Sequence, residues 1–372
     1  MMQRREGYSD IRRSIGQLLV IGFDGTEMSP SLAALLARLQ PAGVILFARN
    51  ITGGEQTYKL LKDCQACVST PLLTAVDMEG GRVDRFRNVI GRTPSAADVF
   101  ATRDRMLFLK HGKLIGDSCR TLGFNTDFAP VVDLAFEASK TVMSSRAVSA
   151  DPKQTVLYAR EFLRGLRAAN VVGSAKHFPG LGEANLDTHQ ELPSINKSWK
   201  KIWAEDLYPY RALRRELPMV LIGHANYPAI THDQSPASLS KKWITDVLRK
   251  KIGYRGLVVS DDLEMGGVLK AAPIEQAAIE HIRAGGDLCL ICHIKDYVTR
   301  SYEALIKEAE SNRKFAQRVA DSAARVLAFK KKSSAMKRRS PAPTPAKLEK
   351  LSRQVWELSE QVGLSKLGAA AS

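Results

Sequence analysis

An Asp and a His two residues apart, Asp187 and His189, sit in the turn-rich run KHFPGLGEANLDTHQELP (176–193). On an extended loop that spacing puts both side chains on one face. The carboxylate can then orient the imidazole and favour its protonated form. A His held this way is suited to general acid/base work near neutral pH. The pattern is weak alone, because surface Asp and His fall at this spacing by chance. Company strengthens it: Lys176 and His177 open the same run, Asp77 closes TAVD, His224 closes PMVLIGH, and Asp261 and Asp262 close GLVVSDD. One carboxylate after a strand is usually a cap for the next helix. Four apolar runs that all end in polar groups are harder to dismiss. Gly180-Leu181-Gly182 is no dinucleotide fingerprint, since it lacks a third glycine and does not open directly into a helix. The chain has no Walker loop, HExxH or G-x-S-x-G, which removes the commonest kinase, zinc-protease and serine-hydrolase chemistries.

These groups need a frame. Eight short runs rich in Val, Ile and Leu recur along the chain: 17–23, 43–47, 71–76, 124–134, 171–177, 218–225, 256–262 and 287–293. Continuous apolar runs bounded by Gly, Pro or polar residues read as parallel strands buried on both faces. Helix-patterned stretches such as SPSLAALLARL and IEQAAIEHIRAGG lie between them, several ending in the glycine that follows helix ends. Eight such units predict an α/β fold, a single (β/α)8 TIM barrel over residues 1–332, with an open doubly wound sheet as runner-up. In the barrel, chemistry belongs on the loops after the strands, which is where the polar residues above stand. Residues 333–345, rich in Lys, Arg, Ser and Pro, read as a solvated linker. Within 346–372, Leu348, Leu351, Val355, Leu358 and Val362 recur at spacings of three and four, which marks one amphipathic helix. It is expected to dock on its own barrel or on a second subunit.

Composition bounds the partners. The 372 residues are 44% hydrophobic and 25% charged, ordinary globular usage, with a formal net charge of +16. No window nears the ~18 consecutive apolar residues of a membrane span, and the first residues lack the apolar stretch of a secretory signal. A cytoplasmic protein is expected. The pairs Cys64/Cys67 and Cys289/Cys292 are far apart in sequence and read as reduced core thiols, so no metal is expected. The positive charge admits nucleic acid, an acidic membrane surface or an anionic substrate. No nucleic-acid motif or basic-aromatic interleaving supports the first. Residues 329–372 hold ten Lys and Arg against three Glu, nearly half of the excess.

Taken together, KHFPGLG, D-x-H, GLVVSDDLEM, AVDMEGGRVDRF, LGFNTDFAPVVDL, SSRAVS and SLSKKWITDVLRKKIGYRG resemble the glycoside hydrolase family 3 β-N-acetylhexosaminidases, from about residue 14 to about residue 330. The resemblance is to the single-domain bacterial enzymes of cell-wall recycling. It implies a retaining exo-β-N-acetylglucosaminidase that acts without a cofactor on peptidoglycan turnover fragments such as 1,6-anhydromuropeptides. It further implies Asp261 as nucleophile, His189 as acid/base with Asp187 as its partner, and Asp77, Arg85, Arg146, Lys176 and His177 as ligands of the terminal N-acetylglucosamine. A His proton donor departs from the usual two-carboxylate scheme. The loop departs from the family's pattern too: Leu181 replaces a His, and Glu183-Ala184 replace Asp-Thr. A phosphorylase using phosphate as acceptor and a non-catalytic sugar sensor are the alternatives. Asp262 and Glu264 are expected to be helix-start carboxylates. His224 is either a pocket residue or a satisfied strand-end His.

Overall fold

The computed structural model describes residues 11–184, 191–338 and 340–370, without the side chains of 365–370. The eight apolar runs become eight short parallel strands: β1 (Leu19–Ile21), β2 (Gly43–Ile45), β3 (Leu73–Val76), β4 (Thr126–Asp127), β5 (Val172–Phe178), β6 (Met219–Ile222), β7 (Leu257–Asp262) and β8 (Leu288–Ile291). Each pairs with the next, and β1 pairs back to β8 through Leu19↔Cys289 and Ile21↔Ile291, so the sheet closes into a barrel. Alternate residues fill the interior, among them Val20, Ala75, Leu221, Val259 and Leu290, while Leu19, Val44, Val76 and Ile291 pack outward against helices. Burial of both faces is why these runs are apolar throughout rather than alternating.

Strand β4 is shorter than its run promised. Pro130 has no N–H to give a ladder, and beyond Asp127 the chain meets β5 through Ser174 N–H→Ala129 O at 2.9 Å and the isolated bridge Val131↔Lys176, with Val132 N–H→Lys176 O at 2.8 Å. That departure matters below, because it carries Asp133 alongside the end of β5.

Local signals start several of the barrel helices. In α1 (Pro30–Leu39), Ser29 Oγ accepts the Leu32 N–H, Pro30 opens the first turn, and Leu32, Leu35, Leu36 and Leu39 face the core. The main outer helices that follow are α2 (Gly54–Ala66), α3 (Arg105–Thr121), α4 (Pro152–Ala168), α5 (Tyr208–Leu213), α6 (Lys242–Lys251, wound as a π-helix), α7 (Ile274–Ala284) and α8 (Lys295–Ser311). The five cysteines are free, with Cys64 on α2 and Cys289 on β8 both buried.

A ninth helix, α9 (Arg313–Lys332), lies across the end of the barrel from which the strands start. Its Val326 and Phe329 join the interior cluster. Asp287, fully buried just before β8, holds the helix in place. It accepts from Arg249 Nη2 at 2.5 Å, Arg318 Nη2 at 3.3 Å, Arg325 and the Val258 N–H. Residues 333–345, expected as solvated linker, are partly packed. Ser334–Lys337 forms one helical turn whose Ala335 and Met336 complete the apolar plug of the floor. Helix α10 (Pro345–Ala370) then turns its Leu351, Val355, Leu358 and Val362 into the core beside α3 and the short helix Arg87–Ile90. Lys110 Nζ on α3 donates to Gln361 at 2.9 Å. Of its two expected seats, the helix's apolar stripe occupies the barrel.

Lys330, in the last turn of α9, is 3% exposed and donates from Nζ to Gln17 Oε1 at 2.8 Å. Burial pushes its pKa down to about 7. Between that value and the ordinary lysine range the unfolded chain binds more protons than the folded one, so this site adds stability as pH rises. Lys330→Met is therefore expected to raise stability, most at or below pH 7 and less toward pH 9. Urea denaturation at both pH values measures this; a variant less stable than wild type at pH 6 would contradict it.

Candidate active site

At the opposite end, strands β3, β5 and β7 deliver the polar groups noted in the sequence to one rim, and the loops after β3 and β4 add the arginines. Lys176, buried at the end of β5, donates to Asp77 Oδ1 at 2.6 Å and sits 2.7 Å from Glu79 Oε1. Arg146 grips the same Glu79 with two parallel bonds, Nε to Oε2 at 2.7 Å and Nη2 to Oε1 at 2.8 Å. Its Nη2 also lies 3.3 Å from His177 Nε2. On the far side of that ring, His177 Nδ1 is 2.6 Å from Asp133 Oδ2, which accepts the His177 N–H as well. Asp133 Oδ1 takes the Leu181 N–H at 2.7 Å. Six groups thus form one chain, Asp77–Lys176–Glu79–Arg146–His177–Asp133.

The charges in this chain stand because they compensate one another. A buried ion left alone would shift its pKa and neutralise. Burial pushes the Glu79 carboxyl up, but Arg146 and Lys176 outweigh it and hold it far below the carboxylate range. Burial likewise works against the Lys176 and Arg146 cations, and Asp77 and Glu79 for the one and Glu79 for the other more than restore them. The turn that places Glu79 depends on Gly80, whose φ is +84° and whose added Cβ would stand 2.2 Å from Pro94 O. No other residue fits there.

Asp261 lies near the end of β7, partly exposed. Burial pushes its pKa up, yet His177, His224, Lys176 and the Asp262 N–H outweigh this and hold it below the ordinary carboxylate value. It is therefore an ionised, poised carboxylate. Behind it, both ring nitrogens of His224 are engaged, Nδ1 with Ser238 Oγ and Nε2 with Asp262 O, each at 2.8 Å. That makes His224 a satisfied strand-end His in the wall. Glu264 accepts the N–H groups of His293 and Ile294, so it caps the start of α8 rather than a helix of its own segment. Asp262 accepts the Glu264 N–H and lies 3.3 Å from His293 Nε2.

Arg85, by contrast, bonds none of these groups. Its guanidinium stands over the Phe47 ring at 5.6 Å, and its buried Nε has no hydrogen-bond partner among the described residues. Asp187 and His189 lie outside the described residues. The substituted loop positions are described: Leu181 is buried, and Glu183 lies 3.3 Å from Lys197 Nζ. No group of three or more His, Cys, Asp or Glu able to hold a metal occurs among the described residues.

Glu79 and Asp133 were not singled out from sequence, although the geometry puts both at the centre. The available signal was charge balance. Lys176 and Arg146, expected in a pocket, need buried counter-charges, and Glu79 lies two residues from Asp77 on the same side of an extended segment.

A closed parallel barrel whose polar groups gather where its strands end defines a (β/α)8 protein with its chemistry on the loops after the strands. Residues 10–329 match the glycosyl hydrolase family 3 N-terminal domain, and the chain belongs to that family as a glycoside hydrolase. Among its curated relatives is a β-hexosaminidase of Idiomarina loihiensis, 34% identical over 285 residues that make up 74% of this chain and 83% of the relative. One from Alkalilimnicola ehrlichii is 38% identical over 282 residues, 74% of this chain and 80% of its own. The solved family 3 β-N-acetylglucosaminidase of Paenibacillus sp. superposes with a TM-score of 0.87 at 30% identity, covering 94% of this chain and 68% of that one. A β-glucoside phosphorylase at 22% identity and TM-score 0.79, covering 95% of this chain and 67% of its own, shares the fold alone.

Removing the charge of Glu79 leaves Arg146 and Lys176 under-compensated. Because its folded pKa is depressed, Glu79 contributes stability that is complete above the unfolded carboxyl value and is lost as pH falls toward the folded one. Glu79→Gln is expected to cost roughly 3–5 kcal/mol at pH 7, as breaking a buried ion pair does. The loss should shrink as pH is lowered below 4. Denaturant melts across pH check this; an equal loss at pH 3.5 and 7 would refute the assignment.

Proposed function

We propose that this glycoside hydrolase is a retaining exo-β-N-acetylglucosaminidase acting on terminal non-reducing N-acetylglucosamine, with peptidoglycan turnover fragments such as 1,6-anhydromuropeptides as its substrates. The observation that carries the reading is the partly exposed Asp261 carboxylate near the end of β7, on the barrel rim that also holds the Asp77–Lys176–Glu79–Arg146–His177 chain. The names of the β-hexosaminidase relatives and the 30%-identical β-N-acetylglucosaminidase structure support it.

In this reading Asp77 accepts hydrogen bonds from sugar hydroxyls, while Lys176, Arg146 and Arg85 donate, and His177 completes the pocket wall. Asp261 attacks the anomeric carbon as the bond to the leaving oxygen breaks, and His189, oriented by Asp187, supplies that oxygen with its proton. A glycosyl ester on Asp261 results. Water then attacks the same carbon, gives its proton to His189, and releases Asp261 with the sugar in its original β configuration. His189 must be protonated in the first step and neutral in the second, so the rate peaks near neutrality on the slightly acidic side.

With a chromogenic β-N-acetylglucosaminide, Asp261→Ala is expected to lower kcat by roughly 10³-fold or more while KM stays within the same range, as loss of a nucleophile does. Undiminished turnover would sink the assignment of Asp261. Product analysis on a muropeptide in phosphate buffer separates the chemistries: free sugar supports hydrolysis, and sugar 1-phosphate as the main product replaces it with phosphorolysis.

A further inference from the structure

The glycosidase reading leaves the chain's large positive charge unused, and the structure gathers much of it on the face opposite the site. Three cavities open on the floor of the barrel. One of about 290 Å³, beside the starts of β5 and β6, is lined by Arg167 and Lys332. A second, of about 530 Å³ under β3 and β4, carries Lys62, Arg120 and Arg338 on half-apolar walls that include Leu72 and Met336. The third, about 430 Å³, is bordered by Arg12, Arg13 and Arg38. The only acidic residue lining any of the three is Glu216, already paired with Arg160 at 3.1 Å. Lys331 and Lys337, exposed on the same segment, add to the field.

Basic residues at helix ends are ordinary complements to the helix dipole, and Arg13, Arg38, Arg120, Arg167, Lys331, Lys332, Lys337 and Arg338 stand at such ends. Arg12 and Lys62 do not, and the dipole does not account for so many helix ends with exposed cations on one face of the barrel. The floor also has a second component. Ala320, Ala324, Leu327 and Ala328 share one face of α9 at helical spacing and are all exposed, Leu327 by 41%. This apolar ridge is bordered at its start by Gln317 and Asp321, which bond each other at 2.9 Å, and it ends on Lys331. A polyphosphate backbone has no use for such a ridge, and a single-strand binder needs exposed aromatic rings to stack bases. A ridge of small apolar side chains flanked by long cationic ones is the pattern that rests on a lipid interface, where apolar groups sink to the headgroup boundary and Lys and Arg reach its charge.

We infer that the barrel floor is a docking face for an anionic bilayer surface. The enzyme lies on it through α9 and the 331–338 segment, with the sugar site at the other end of the barrel pointing into solution. Attachment through surface cations and one exposed leucine is electrostatic in the main and reversible.

The test is co-sedimentation of the full chain with vesicles of phosphatidylcholine alone or mixed equally with phosphatidylglycerol. Binding is expected only to the anionic vesicles and should fall steeply with added salt. Each surface cation is worth about a fivefold change in partitioning, so Lys331→Glu, Lys332→Glu and Lys337→Glu combined should weaken binding about a hundredfold or more. Leu327→Ser should weaken it with little change in salt dependence. Turnover of a soluble substrate should be unchanged in both variants, which reports that they fold. Equal binding to neutral vesicles, no binding to anionic vesicles at 0.1 M salt, binding unaffected by the triple variant, or tighter binding to duplex DNA than to the vesicles would each overturn the inference.

Discussion

Closure of the sheet is the constraint from which the rest of this molecule follows. Once β1 pairs with β8 no strand edge remains, and every strand is buried on both faces. Apolar side chains then dominate the strands, and the two ends of the barrel become its chemically distinct surfaces. At the end where the strands finish, their last residues converge on a single axis. Asp77, Lys176, His177 and Asp261 are distant in sequence, yet this convergence brings them to one rim and lets Lys176 reach Asp77 across 99 residues of chain.

Convergence alone would be costly, since it brings cations and carboxylates together away from water. The structure meets the cost by alternation. Asp77, Lys176, Glu79 and Arg146 alternate in sign along one path, and Asp133 closes the path on His177. Such a network is stiff, because moving one member leaves its neighbours buried and unpaired. Stiffness suits a sugar pocket, where hydrogen-bonding groups gain most when they are already in position before the substrate arrives. Asp133 adds a further restraint. One carboxylate takes the His177 main chain, the His177 ring and the Leu181 N–H, so the end of β5 and the start of the following loop share one anchor.

Much of this was legible in the sequence, for reasons that differ by level. The eight strands were, because burial on both faces leaves a continuous apolar signature. The rim positions of Asp77, Lys176, His177 and Asp261 followed from the barrel itself, since each ends such a run. Glu79 and Asp133 were not, because their importance lies in what they neutralise, and partners 67 and 44 residues away leave no local pattern. The run 124–134 looked like one long strand because periodicity is blind to the missing N–H of Pro130. Residues 333–345 looked solvated because their charges and prolines dominate the composition, whereas two side chains among them, Ala335 and Met336, decide where the segment sits. His224 could be read either way until the structure showed both of its ring nitrogens occupied.

Helix α9 has a consequence in the order in which the chain is made. On the ribosome residues appear from the N-terminus, and the barrel's seam cannot form until β8 has been extruded. Even then the interior stays open from below until Val326, Phe329, Ala335 and Met336 arrive, because the plug is encoded after the last strand. More than three hundred residues must therefore wait, with apolar surface exposed, for a segment that follows the last strand. A nascent chain stalled just past β8 would carry every strand of the fold and still lack its floor.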